Sequence, residues 1–120
     1  MGDGGLIFQI TDAATGRLVA VSDHRLRCLV THKAPLNPEC AKSRNPAQDC
    51  KARILPEPAG WKALNFDTSK WEAAKLYTED EVGPKGGYDE IRWDRSAKLV
   101  WTSDLVADNT LLCKLRIDKR

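Results

Sequence analysis

Hydrophobic residues in this chain come in short runs closed by Gly, Pro, Asp or Asn, the patterning of β-strands separated by turns. The runs predict strands over 6–10, 18–22, 26–31, 90–93, 99–102 and 111–117, with a further short one over 52–55. The hinge DAATG, with Gly16 at its end, joins the first pair as a hairpin. The last run alternates. It sets Leu111, Cys113, Leu115 and Ile117 on one face and Leu112, Lys114, Arg116 and Asp118 on the other. That is a half-buried antiparallel strand whose odd positions point inward.

The stretch 61–77 breaks the pattern by placing Trp61, Phe66 and Trp71 close together between turn-forming residues. Ser69 and Glu72 have capping-box spacing, which predicts one or two helical turns with Trp71 and Ala74 on one side. Such a dense aromatic segment is expected to plug the open edge or end of a sheet, so Trp61, Phe66 and Trp71 are assigned to the core, as is Trp101 of the 99–102 strand. Residues 34–60 hold five of the six prolines, two cysteines and no aromatic residue, and read as one long surface loop. Many short strands, long loops and almost no helix predict an all-β fold, an antiparallel β-sandwich or jelly roll in a single domain over 1–120.

Composition narrows the function classes. Nineteen basic and seventeen acidic side chains leave a formal net charge of +2, too small a field to favour a nucleic-acid partner. No apolar run approaches membrane-spanning length, and the opening MGDGGLIFQI lacks the basic start and cleavage site of a signal peptide. The four cysteines, an even number in a small chain, allow three disulfide connectivities. The favoured pairing joins Cys40 with Cys50 across the proline-rich loop and Cys28 with Cys113 between distant strands. Buried free thiols are the other reading, and zinc is disfavoured because no close cysteine pair exists. Disulfides place the chain in an extracellular or lumenal compartment.

Candidate chemistry is sparse. His24 and His32 read as surface imidazoles at strand ends, without the partner a thiol nucleophile needs. Asp104, Asp108 and Asn109 carry oxygens suited to calcium but lack the EF-hand pattern, and a solvated turn explains them better. DGG and PKGG lack the Lys-Ser ending of a phosphate loop, so neither a cofactor nor a metal is expected. The acidic residues of TEDEV and YDE are not shown by sequence proximity to face each other across a cleft, as glycoside hydrolysis requires. A sugar-contacting surface is the more specific option. Tyr88 and Trp93 offer rings, and Asp89, Asp104 and Asn109 offer hydrogen bonds, although Trp93 equally suits a core position.

Three stretches carry a family resemblance: GGLIFQI with Asp23 after it, the W-x4-F-D-T-S-x-W-x2-A run from Trp61 to Ala74, and AKLVWTSD followed by DNTLLCK. Together they resemble the galactose-binding-like jelly-roll accessory modules of multidomain glycoside hydrolases and other secreted or surface proteins. Phe66, Asp67, Ser69, Trp71 and Ala74 match the central motif, and Ala97, Trp101 and Asp104 match the strand that follows it. The resemblance implies a non-catalytic module that binds glycan or packs within a larger extracellular or lumenal assembly. A fragment or accessory domain of a glycoside hydrolase, and a purely structural subunit, are the alternatives. The order departs from the family pattern, with the GGLI-like piece at the start and the chain stopping after DNTLLCK. On that basis at least one terminal strand is expected to lack a partner within the chain and to pair with another polypeptide or a second copy, through an interface above roughly 1,000 Å².

Overall fold

The computed structural model describes residues 4–118. The regular structure of the chain is mostly strand, in antiparallel sheets, with two four-residue helices and two 3-10 turns among the described residues. Strand β1 (Gln9–Thr11) and β2 (Leu18–Val21) form the expected hairpin. Its turn is shaped by Asp12, whose carboxylate accepts from the Ala14 and Thr15 amides, and by Gly16 at φ 72°.

Strand β3 (Arg27–Lys33) is the spine of the larger sheet. It pairs along its length with β8 (Asp108–Lys114), while β5 (Glu72–Ala73) and β4 (Arg53–Ile54) pair with its two ends. A third pairing joins β6 (Lys75–Tyr77) to β7 (Leu99–Trp101). Leu6 and Val100 exchange two backbone bonds, at 2.9 and 2.8 Å, which fasten the N-terminal segment to β7. Ser22 completes the joint. Fully buried, it donates its hydroxyl to the Lys98 carbonyl at 2.7 Å and accepts from the Phe8 amide at 2.9 Å.

The apolar core sits where these parts meet. Leu26, Cys28, Ala74 and Val100 are buried, with Leu6, Phe8, Leu111, Cys113 and Leu115 packed against them. The odd positions of the last strand therefore face inward as expected up to Leu115, whereas Ile117 is 44% exposed. Trp71 is buried, only 6% exposed, and its ring lies 5.6 Å from that of Phe66. Trp61, Phe66 and Trp101 are half-buried. The Trp101 indole donates to the Asp108 carbonyl at 2.9 Å.

Three local expectations fail for identifiable reasons. No helical turn forms after Ser69, because residues 72–73 pair with Arg27 and Cys28 and the Glu72 carboxylate accepts from the Ser103 amide. The capping box of this region is instead at Thr78 and Glu81. No strand forms over 90–93: Gly87, at φ 104°, opens a 3-10 turn, Tyr88–Glu90, and the Ile91 amide bonds back to the Tyr88 carbonyl. Both terminal segments also find partners within the chain, the first with β2 and Val100 and the last with β3.

Both disulfides have the favoured connectivity, Cys28–Cys113 and Cys40–Cys50, and no described cysteine is free. Cys28 and Cys113 are opposite each other in the β3–β8 ladder, with Cα atoms 4.1 Å apart, the close approach of a non-hydrogen-bonded antiparallel pair. The 34–60 loop is further held by Asn37, which donates to the Asp49 carbonyl and accepts from the Lys51 amide, both at 2.8 Å. The two bridges span 85 and 10 residues, so the chain-entropy account predicts losses of about 4–5 and about 2–3 kcal/mol respectively when each pair is replaced. Urea unfolding of Cys28→Ala/Cys113→Ala beside Cys40→Ala/Cys50→Ala checks this. A smaller loss for the first variant than for the second would contradict it.

Candidate functional site

One cleft is built by residues 82–93 closing over Gly4, Gly5 and Ile7. Thr78 caps helix α2 (Glu79–Val82; α1 is Pro46–Asp49) by accepting from the Glu81 amide at 3.2 Å, while Glu81 reaches back to the Thr78 amide at 3.0 Å. Gly83, in the left-handed region at φ 63°, ends the helix, and Pro84 prevents its continuation. Val82 packs on Gly5 so closely that a Cβ at Gly5 would stand 2.6 Å from the Val82 Cγ1. Glycine is required there twice over, since its φ is 141°.

Beyond Pro84 the chain turns through Gly87 and stacks Tyr88 on Trp93, with ring centroids 6.0 Å apart and planes inclined by 29°. The Trp93 indole donates to the Tyr88 carbonyl at 3.0 Å, and the Tyr88 hydroxyl donates to the Glu79 carboxylate at 2.7 Å. The second bond ties the stack back to α2. Gln9 holds the far end, donating to the Arg92 carbonyl at 3.3 Å and accepting from the Asp94 amide at 2.9 Å. These contacts enclose an open cleft of about 330 Å³ with Ile7, Leu99, Val82, Pro84, Tyr88 and Trp93 among its walls. Its surface is largely apolar, edged by the backbone of Gly4, Gly83 and Gly87.

Of the residues expected to contact a ligand, Tyr88 and Trp93 come together here, and Asp89 lies exposed beside them on the 3-10 turn. Asp104 and Asn109 do not line the cleft. Asp104 accepts from the Val106 and Ala107 amides, each at 2.9 Å, and shapes that turn. The Ala107 amide is the main cause that holds its carboxyl below the usual range, helped by the Val106 amide and the Lys33 charge and opposed by burial. Asn109 is engaged with His32 Nδ1 at 3.1 Å and with the Thr110 hydroxyl. Asp108 is buried between Lys33 and Thr102, with both contacts at 2.6 Å, so this carboxylate is part of the frame. Among the described residues no group of three or more His, Cys, Asp or Glu side chains is placed to hold a metal ion.

The apolar walls were not evident from sequence. Ile7, the Val82–Pro84 stop, Ile91 and Leu99 are separated in sequence and converge only in the fold. Comparison of the chain with protein-family models, curated proteins and solved structures found no match.

The Tyr88 phenol is pushed up first by its bond to the Glu79 carboxylate, then by burial and by the charges of Glu79 and Asp89. A raised folded-state pKa means that this contribution is complete below the unfolded value of about 10 and is lost as pH rises through the folded value. Ionisation turns the donor into an anion facing Glu79. Trp93 emission should therefore change in an alkaline transition above about pH 10 that Tyr88→Phe removes. An identical transition in that variant would assign it to Tyr77, whose phenol is also raised, chiefly by burial.

Proposed function

We propose that the chain is a non-catalytic, galactose-binding-like β-sandwich module that binds glycan in the cleft beside Tyr88 and Trp93, in an extracellular or lumenal setting. The observation that carries the reading is the stacked, hydrogen-bonded Tyr88–Trp93 pair at an open cleft of about 330 Å³. Aromatic faces suit the C–H face of a sugar ring, and a wall fixed by Glu79 and Gln9 lowers the ordering cost of binding. The sandwich reading draws support from the core, where Cys28, Leu111 and Cys113 of the larger sheet meet Val100, Leu6 and Phe8.

Binding is favoured over hydrolysis by the placement of carboxylates. Glycoside cleavage uses a facing pair roughly 5–10 Å apart. No described residue lining this cleft is Asp or Glu, and Glu79 is occupied by Tyr88. Titration with a panel of oligosaccharides tests the proposal. Tyr88→Ala and Trp93→Ala should each weaken binding at least about tenfold, the scale of one lost aromatic contact. Affinity unchanged in both variants would move the site elsewhere.

A second reading, structural packing in an assembly, rests on the amount of exposed surface. The chain exposes 8751 Å², against roughly 6,500 Å² expected for a folded monomer of its mass, and its radius of gyration of 16.5 Å exceeds the roughly 13.6 Å expected. Ile54 and Leu64 are 82% and 87% exposed. Strand β8, paired only with β3 among the described residues, is the terminal strand that this reading offers to another polypeptide or a second copy. Sedimentation equilibrium at micromolar concentration should show a dimer if the partner is a second copy. A monomer that also recovers no partner when cross-linked in its native material would exclude the packing role.

A further inference from the structure

We infer that the glycan is anionic, carrying a uronate carboxylate or a sulfate ester that is met by Arg92 and Arg95; this rests on the glycan reading of the Tyr88–Trp93 cleft. Trp93 is a wall shared by two cavities. On one side lies the apolar cleft, and on the other a groove of about 480 Å³ lined by Gln9, Thr11, Arg92, Asp94 and Arg95 among others. A chain of sugar units seated against the indole therefore passes from an apolar subsite into a polar one without leaving the protein surface.

The groove has the chemistry of an anion subsite. Arg92 and Arg95 are both exposed, and neither guanidinium has a side-chain or backbone partner among the described residues. Asp94 is the only carboxylate lining the groove among those residues, and it is already engaged by the Ser96 amide at 2.9 Å and the Ser96 hydroxyl at 2.6 Å. Two guanidiniums thus stand against one carboxylate, whose Oδ1 is held by Ser96. Planar guanidinium forks match carboxylate and sulfate oxygens with paired donors. Gln9 makes the arrangement persistent, because its amide grips the backbone on both sides of Trp93 and fixes the indole relative to the flanking segment.

The test is a fluorescence titration of the full chain with matched oligosaccharides that are neutral, uronate-bearing or sulfated, with polyglutamate as a non-sugar anion. The wild type should bind one or both anionic sugars about ten- to hundredfold more tightly than the neutral one, with the preference shrinking at high salt. Arg92→Gln/Arg95→Gln should erase that preference, bringing the anionic sugars down to the affinity of the neutral one, and Tyr88→Ala should weaken every sugar. A response to uronate alone or to sulfate alone identifies the anionic group and supports the inference in either case. Equal affinity for neutral and anionic sugars would overturn the inference and leave the cleft reading standing. Equal binding of polyglutamate would overturn it as a general anion effect. No binding of any sugar would overturn both.

Discussion

The pairing of β3 with β8 is the constraint on which the rest of the molecule depends. It joins segments far apart in sequence, so its loop-closure entropy is large, and the chain offsets that cost at both ends of the ladder. Cys28–Cys113 locks one end inside the core, and the Lys33–Asp108 ion pair, half-shielded and backed by Thr102, closes the other. Once this ladder stands, β5 and β4 have an edge to join. Leu111, Cys113 and Leu115 then present the apolar face that Val100, Leu6 and Phe8 cover.

The cleft is hung on that frame through the N-terminal segment. Leu6 is bonded to β7, Phe8 to Ser22, and Gln9 to the backbone that carries Trp93, so three nearly consecutive residues link core, joint and cleft wall. Division of labour follows from chemistry. Buried polar groups such as Ser22 and Asp108 are fully satisfied and rigidify the frame, whereas the polar groups without partners lie on the surface. The half-buried Tyr88–Trp93 pair is thus fixed to a rigid frame, the pre-organisation that lowers the ordering cost of any contact made there.

Much of this was legible in the sequence. Period-two alternation found β8 and its inward face, and the turn chemistry of DAATG found the β1–β2 hairpin, because both signals are local. The composition of 34–60 marked the disulfide-tied loop. Other features were decided at a distance. Glu72 satisfied the local rule for a capping box, but the free edge of β3 and the Ser103 amide claimed that segment. Asp104 and Asn109 carried suitable chemistry for a site, yet turn geometry and His32 had engaged them first. The cleft itself depends on Gly5 meeting Val82, a contact between residues 77 positions apart that no periodicity encodes.

Native-state hydrogen exchange measures the central claim directly, since it ranks the opening free energies of individual amides. In the oxidised chain, the paired amides of β3 and β8 should be the slowest to exchange, with free energies equal to that of global unfolding. Amides of the 79–93 wall should exchange earlier through local opening. Exchange of the β3 and β8 amides as fast as the 34–60 loop, with greater protection elsewhere, would show that the fold is organised around a different element.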